Sequence, residues 1–517
     1  MNKFMVTTAI DYVNGAPHIG HAFEKILTDV LYRHFKQRCD RTFFLTGTDE
    51  HGIKIQKTAA QMGITPKELC DENAQKFKDA WELLDIKYDK FIRTTDVEHT
   101  KIVQEIFEKL LKKGDIYKHK YEGLYCSGCE SFLNAKDLDE NGCCPIHGKK
   151  PEIVSEENYF FKLTKYKDAI IKHIKENPDF IMPSFRANEV LNQLESIEDI
   201  SVSRAKSNVN WGIEVKSDPE QVIYVWIDAL SNYITALGYN PNGESGESFK
   251  TFWPANFQII GKDILKFHSI YWIAILMALE VELPETIYAH GWITIDKNKM
   301  SKSIGNVISP KTVMDAFELK EPDSFRYFMC VSAPSGKDGN YSDEDFKERV
   351  NADLANNMGN LLNRSLNMLC KYFDGNILKE HICENELTQA SMAAISKVKE
   401  HFDRVELAEA AAEIINTVDI ANKFVNDNAP WTLAKEGKID ECGRVLYSVF
   451  DLMCKVAVLI YPYCPNIASN MARQLKINID TKLDDLTPKM VKEGKLIEKS
   501  EIQPVFLRLD SEFAAKK

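Results

Sequence analysis

Residues 3–52 constrain the fold more than any other stretch. "KFMVTTAI" (3–10) and "RTFFLTGTDEHG" (41–52) are β-rich apolar runs, the second ending in Gly, Asp and His. Between them Ala22, Phe23, Ile26, Leu27, Val30 and Leu31 fall on one face of an unbroken helical pattern. A strand, a helix and a second strand at this spacing form a βαβ unit, and its two strands must run parallel because a helix-length crossover joins them. The first hundred residues therefore read as half of a doubly wound α/β domain.

The rest of the chain divides around that unit. At 517 residues it is long enough for about two to four domains. The β-helix-β pattern breaks near residue 116, where a cysteine-bearing stretch and then helical segments run to about 215. Strand-like signals resume at "QVIYVWID" (221–228), "NFQIIGKD" (256–263) and "TIYAHGWITID" (286–296). Residues 1–115 and 216–308 thus read as two halves of one nucleotide-binding sheet, with 116–215 inserted between them. From about 310 the pattern is almost wholly helical, as in "NADLANNMGNLLNRSLNMLCKYF" (351–373), and predicts a helix bundle. The tail "IQPVFLRLD" (502–510) reads as a strand or extended segment able to fold back on the α/β core. "SIYWIAILMALEVELP" (269–284) is too short to span a bilayer and reads as a buried helix, so no membrane association is expected. Net charge of −12 argues against indiscriminate coating of nucleic acid, though a local basic groove remains compatible with it.

"PHIGH" (17–21) lies at the turn between the first strand and its helix, where ligands of open α/β sheets bind. Pro17 suits the first helical position, and the N–H groups and positive dipole end of such a turn favour a phosphate. His18 and His21, three apart, can project from the same side, and Gly20 lets a ligand approach the backbone. The chain has no GxxxxGK[ST] and no GxGxxG after a strand, so side chains must stand in for a glycine cradle. "DKNKMSKSIGN" (296–306) can supply them, because Lys297, Lys299 and Lys302 sit among Asn, Ser and Gly in a cationic loop. A proline-started helix, "SPKTVMDAF", follows that loop.

"YCSGCESFLNAKDLDENGCCPIHGKK" (125–150) holds Cys126-x-x-Cys129 and, after 14 intervening residues, Cys144-x-x-His147. Two ligand pairs of this kind suit tetrahedral Zn²⁺ and leave no open coordination position, which predicts a structural metal. Cys143 sits one residue too early for the same spacing.

"HIGH" at 18–21 and "KMSKS" at 299–303 match letter for letter the two signature motifs of class I aminoacyl-tRNA synthetases, one in each half of a split sheet. Over nearly its whole length the chain resembles the methionyl-tRNA synthetases, of the bacterial type with a single zinc knuckle. "TTAIDYVNGAPHIGHA" (7–22), "FLTGTDEHG" (44–52), "YVWIDALSNYITALGY" (224–239), "IGKDILKFHSIYW" (260–272) and "NDNAPWTLAK" (426–435) carry the likeness. Some bacterial members have proline where this chain has Leu230.

The resemblance implies a Rossmann-like parallel sheet split by a zinc-containing insertion, a stem-contact linker over 309–350 and an anticodon-binding bundle over 351–517. It implies that methionine is joined to ATP with Mg²⁺ and then passed to the terminal ribose of tRNA(Met), initiator and elongator. It assigns catalysis to His18, His21, Lys299 and Lys302, and ATP binding to Gly20, Gly261, Asp263, Ser301 and Lys302. The methionine site falls at Ile10, Tyr12, Asp49, Trp226, Ala229, Tyr233, Ile264, His268 and Trp272. Aromatic walls suit a thioether, and Asp49 can pair with an ammonium. Asn360, Arg364 and Trp431 fall at the anticodon-reading positions. A monomer in the cytoplasm is expected. A different nucleotidyltransferase with an HxGH helix start, or a catalytically retired RNA-binding scaffold, are the alternatives. The first needs neither the zinc insertion nor the bundle, and the second has no reason to keep all four signature residues. A cysteine-specific synthetase would hold its zinc inside the pocket, whereas here the ligand pairs lie in the insertion.

Overall fold

The computed structural model describes residues 3–126, 131–133, 138–146, 148–298 and 307–509. Four parallel strands open the chain: β1 (Lys3–Thr8), β2 (Asp11–Tyr12), β3 (Arg41–Asp49) and β4 (Lys90–Arg93). Alternation along them shows why both faces must be covered. Phe4 and Val6 of β1 and Phe44 of β3 point into one apolar core, while Met5 and Leu45 point into another. The helix Ile19–Lys36 fills the first side and the helix Val97–Lys113 the second.

The chain then leaves for an antiparallel sheet of β5 (Ile116–Cys126), β6 (Ser131–Leu133) and β7 (Glu152–Phe161). β8 (Ile181–Met182) drops back beside the parallel sheet, and β9 (Ile200–Ser201) pairs with β7. β10 (Ser203–Ala205), β11 (Ile213–Val215) and β12 (Asp218–Ile223) form a separate antiparallel sheet. The parallel sheet is completed by β13 (Phe257–Gly261) and β14 (Thr286–His290), in the order β3-β1-β13-β14-β8, with β2 and β4 both on β3.

Two details differ from the sequence reading. The apolar run 221–228 joins the small antiparallel sheet only as far as Ile223, and from Val225 it is helix. Its β-branched residues match either state, and pairing with β10 and β11 decided between them. The segment 116–215 is also not wholly outside the parallel sheet, because Ile181 and Met182 pair with Ile287 and Tyr288.

Beyond β14, β15 (Ile293–Ile295) and β16 (Gly339–Tyr341) pair in parallel. Helices then dominate, with Ile439–Ile460 at the centre of the bundle: every residue from Val445 to Ile460 is buried. Arg326 stitches this part to the sheet. Its buried guanidinium donates to Asp29 Oδ2 at 2.6 Å, on the helix after β2, and to the carbonyls of Pro462 and Tyr463 in the bundle. Among the described residues the tail does not return to the parallel sheet. Asn351 exchanges hydrogen bonds with the Leu509 backbone and Gln474 with that of Gln503, so residues 503–509 lie along helices. Leu509 is buried there and Leu507 stays exposed, and the side-chain amides of Asn351 and Gln474 hold the segment in place. No helix among the described residues is long and apolar enough to cross a membrane.

Candidate active site

The site opens at the carboxyl ends of β1 and β13, on either side of which the sheet extends in opposite directions. His18 caps the helix Ile19–Lys36 with an extended backbone, φ −125° and ψ 173°. Gly20 N–H donates to His18 Nδ1 at 3.1 Å, and His18 N–H donates to His21 Nδ1 at 3.2 Å. This is a reciprocal capping box made of two imidazoles, with their rings stacked at 3.8 Å and 29°. Because each Nδ1 accepts, the proton of the neutral ring sits on Nε2, and Nε2 becomes the donor. Two expectations change here. Pro17 lies one residue before the cap rather than at the first helical position. The first helical N–H groups are also engaged: Ile19 donates to Ile308 O at 2.9 Å and Gly20 to His18. The turn therefore presents imidazole donors where bare backbone was expected.

The Ile19–Ile308 bond also ties this helix to the far end of the lysine loop. The loop starts after β15 at Asp296 and Lys297, both with positive φ, where Lys297 N–H donates to Asn340 Oδ1 at 2.7 Å. It ends at Ser309, which caps the helix Pro310–Ala316 by accepting from Thr312 N–H. Lys299, Ser301 and Lys302 lie outside the described residues.

His18, Gly20 and His21 line a cleft of about 820 Å³ with Tyr12, Gly261, Asp263, His290 and Trp292. Asp263 is exposed at its rim, and its Oδ1 accepts from Trp292 Nε1 at 3.2 Å. Ala9, Ile10 and Ile264 are shared with an adjoining cavity of about 100 Å³, lined also by Asp49, Trp226, Ala229, Leu230, Tyr233, Phe267 and His268. Trp226 stacks on Phe267 at 3.9 Å. The helix Val225–Thr235 supplies Trp226, Ala229, Leu230 and Tyr233 at helical spacing from one face. His268 Nδ1–H donates to Ile264 O at 3.0 Å, so its Nε2 accepts the Tyr233 hydroxyl at 2.7 Å. Burial lowers the His268 pKa to about 4, and the wall stays neutral. Tyr12 faces the larger cleft, and Trp272 lines neither space. It is fully buried behind Tyr233, ring centroids 5.7 Å apart. Bulk apolar packing claimed the indole, as it does for most interior tryptophans.

Under the cleft lies a buried charge cluster that no sequence pattern announced. Lys25, fully buried, donates to Asp11 and Glu24, each at 2.8 Å, and Glu24 in turn meets His290 Nε2 at 3.0 Å. Burial alone would depress Lys25, but the two carboxylates outweigh it and hold the ammonium above its ordinary value. Burial, only partly offset by Lys25, raises Asp11 to about 7. A second cluster stands behind the smaller cavity. Asp228 Oδ2 accepts from His51 Nδ1 at 2.7 Å and Asp228 Oδ1 from His99 Nε2 at 2.9 Å. Burial would raise this carboxyl, yet the two imidazoles hold it at about 2.

The family model "tRNA synthetases class I (M)" matches residues 4–146 and 134–366, and "Anticodon binding domain of methionyl tRNA ligase" matches 379–508. A methionine–tRNA ligase of Caldanaerobacter subterraneus is 44% identical over 98% of this chain and 79% of its own. One from Thermotoga maritima is 41% identical over 98% and 81%. The chain superposes on Mycobacterium tuberculosis methionyl-tRNA synthetase in complex with methionyl-adenylate with a TM-score of 0.91, at 36% identity, covering 98% of this chain and all of that one. The chain belongs to the methionyl-tRNA synthetases of class I.

Three further sets of residues expected of a methionyl-tRNA synthetase are placed as follows. Cys126 ends β5 and Cys144 sits in a turn closed by Gly148 N–H to Cys144 O at 2.7 Å; both are buried. Cys129 and His147 lie outside the described residues. Cys143 is half-buried, with its thiol toward Asn141 O at 3.9 Å. In the bundle, exposed Asn360 begins the helix Asn360–Phe373, directly after a π-helical stretch over Asn351–Gly359. Arg364 donates to Asn422 Oδ1 at 3.0 Å and Asn426 Oδ1 at 3.2 Å, near the end of Leu407–Asn428. Trp431, 44% exposed, follows Pro430 at the start of the next helix.

Proposed function

We propose that this chain is a methionine–tRNA ligase that joins L-methionine to ATP in the two adjoining spaces and passes the product to tRNA(Met). The observation that carries this reading is the junction itself. An aromatic cavity of about 100 Å³, with Asp49 at one end, opens through Ile10 and Ile264 onto a cleft whose wall includes His18 and His21. A thioether side chain suits the first, and a polyphosphate suits the second.

The methionine carboxylate is already a nucleophile and needs no general base. It needs to be aimed at the α-phosphorus, forming a C–O–P bond as pyrophosphate leaves with the electron pair of the broken P–O bond. Asp49 at the end of β3 would pair with the substrate ammonium, with Trp226, Tyr233 and His268 around the side chain. His18 and His21 would donate through Nε2 to phosphate oxygens as negative charge builds there. Lys299 and Lys302 would close from the opposite side, with Ser301 and the Gly20 backbone near the phosphates. Gly261 and Asp263 would hold the ribose. Mg²⁺ bound with ATP supplies further charge neutralisation of the phosphates.

A structural zinc fits the donor set in the insertion. Cys126 and Cys144 are buried thiols, the kind of soft donors Zn²⁺ takes, and Cys129 and His147 would complete four ligands. The half-buried thiol of Cys143 points to a backbone carbonyl and is assigned no ligand role. Asn360, Arg364 and Trp431 would read the anticodon, Trp431 by stacking on an unpaired base. The enzyme is read as a cytoplasmic monomer. ATP–pyrophosphate exchange measured with each of the twenty amino acids tests the central reading. Methionine should give the signal, and preference for any other amino acid overturns it.

A further inference from the structure

Asp228 takes no part in the chemistry above, yet it is fully buried one helical turn from the methionine wall. Trp226, Ala229, Leu230 and Tyr233 occupy one face of the helix Val225–Thr235, and Asp228 and Thr235 occupy the opposite face. On that far side the Asp228 carboxylate receives His51 at 2.7 Å and His99 at 2.9 Å. His51 stands two residues after Asp49, which lines the cavity at its polar end. His99 belongs to the helix Val97–Lys113, and its Nδ1 meets the Thr235 hydroxyl at 2.7 Å. One carboxylate thus fastens together three separate pieces: the strand end bearing Asp49, the helix bearing the aromatic wall, and the helix that backs them.

We propose that Asp228 is a positioning residue that sets the spacing between Asp49 and the aromatic wall, and through that spacing the fit of the methionine side chain. This rests on the methionine reading of the cavity. A carboxylate does the task because each of its two oxygens accepts from one imidazole, whereas an amide would set its NH2 against one of the two ring donors. His51 then donates through Nδ1 and His99 through Nε2, and neither ring can turn without leaving a buried charge unpaired.

The test is steady-state pyrophosphate exchange by the full chain carrying Asp228→Asn, His51→Asn, His51→Ala or His99→Gln, with thermal unfolding recorded for each. Methionine-dependent exchange by the unmodified chain tests the activity reading, and the variants test only the role of Asp228. Asp228→Asn should raise KM for methionine roughly tenfold or more, the worth of a hydrogen bond to a charged group, with KM for ATP within about twofold. Relative use of ethionine and norleucine against methionine should shift in the same variant. His51→Asn should stay near the unmodified chain, because its side-chain amide can donate where Nδ1–H did, and His99→Gln likewise in place of Nε2–H. His51→Ala should follow Asp228→Asn. The proposal is overturned if Asp228→Asn lowers thermal stability or kcat while leaving KM for methionine and the analogue preference unchanged. It is equally overturned if His51→Asn proves as poor as His51→Ala.

Discussion

The two spaces of the active site share a wall and are built on opposite electrostatic plans. The larger cleft rests on an ionic network, with buried Lys25 beneath it held between Asp11 and Glu24 of its floor, and Glu24 against His290. The smaller cavity keeps its lining aromatic residues and His268 neutral, every polar atom of the Tyr233–His268–Ile264 chain being matched to a partner. One carboxylate, Asp49, lines its polar end, and a second, Asp228, is placed behind the helix. A phosphate-binding surface must keep donors fixed against a highly charged ligand, and a network of buried ion pairs is rigid enough to do so. A thioether gains from dispersion and the exclusion of water, and a charge facing it would demand solvation.

Removing the cation from the first plan should have the largest effect. Lys25→Met leaves Asp11 and Glu24 facing each other without their shared partner, and breaking a buried pair this way costs about 3–5 kcal/mol of stability. Denaturant unfolding reads it, and a loss below about 1 kcal/mol would mean that the cluster holds nothing together. Next is His21→Ala, which takes away an Nε2 donor and half of the capping box. Pyrophosphate exchange should slow at least about 100-fold, some 3 kcal/mol in the transition state, with a smaller change in methionine affinity. A larger effect on methionine affinity than on turnover would contradict the assignment of this histidine to the phosphate side.

The neutral plan should show itself in pH dependence. His268 is held at about 4 by burial, below its unfolded value near 6.5. The unfolded chain therefore binds the extra proton first, so the stability tied to neutral His268 is fully present above about 6.5. It is lost as pH falls toward 4, by up to roughly 3 kcal/mol. A His268→Gln variant should lack that slope in urea melts run from pH 7 to 4, and identical slopes in the two proteins would break the contrast. The smallest effect expected is from Tyr233→Phe, which leaves His268 Nε2 buried without its donor at a cost of about 1–2 kcal/mol, seen mainly as weaker methionine binding.

How legible these plans are in the sequence differs in the same way. The parallel sheet, the place of the His18–His21 turn at its edge and the helical bundle all follow from periodicity and from short motifs. These are local signals, read within about one element's length. Ile10, Asp49, Trp226, Ala229, Tyr233, Ile264 and His268, expected from the resemblance at a methionine site, line the smaller cavity with Leu230, while Ala9, Val225, Asn232 and Phe267 join them and Tyr12 and Trp272 lie elsewhere. Trp272 shows the limit, since an aromatic near a pocket has the same letter whether it lines the space or stands behind it. The imidazole capping box was within reach of sequence, as two histidines at the N-cap and third helical positions, but histidine is not the residue that capping rules lead one to expect.

The sequence by itself determined the opening βαβ unit, the helical bundle, the signature pair at 18–21 and 299–303, and hence the family. Each of those is written in neighbouring residues, where backbone propensity and hydrophobic period act directly. Only the tertiary structure decided that His290 meets Glu24 across 266 residues, that Asp228 gathers His51 and His99 from 177 and 129 residues away, and that Ile308 receives the first N–H of the histidine helix. Buried ionic partners are chosen by what the packed core brings within about 3 Å, and distance along the chain carries no information about that.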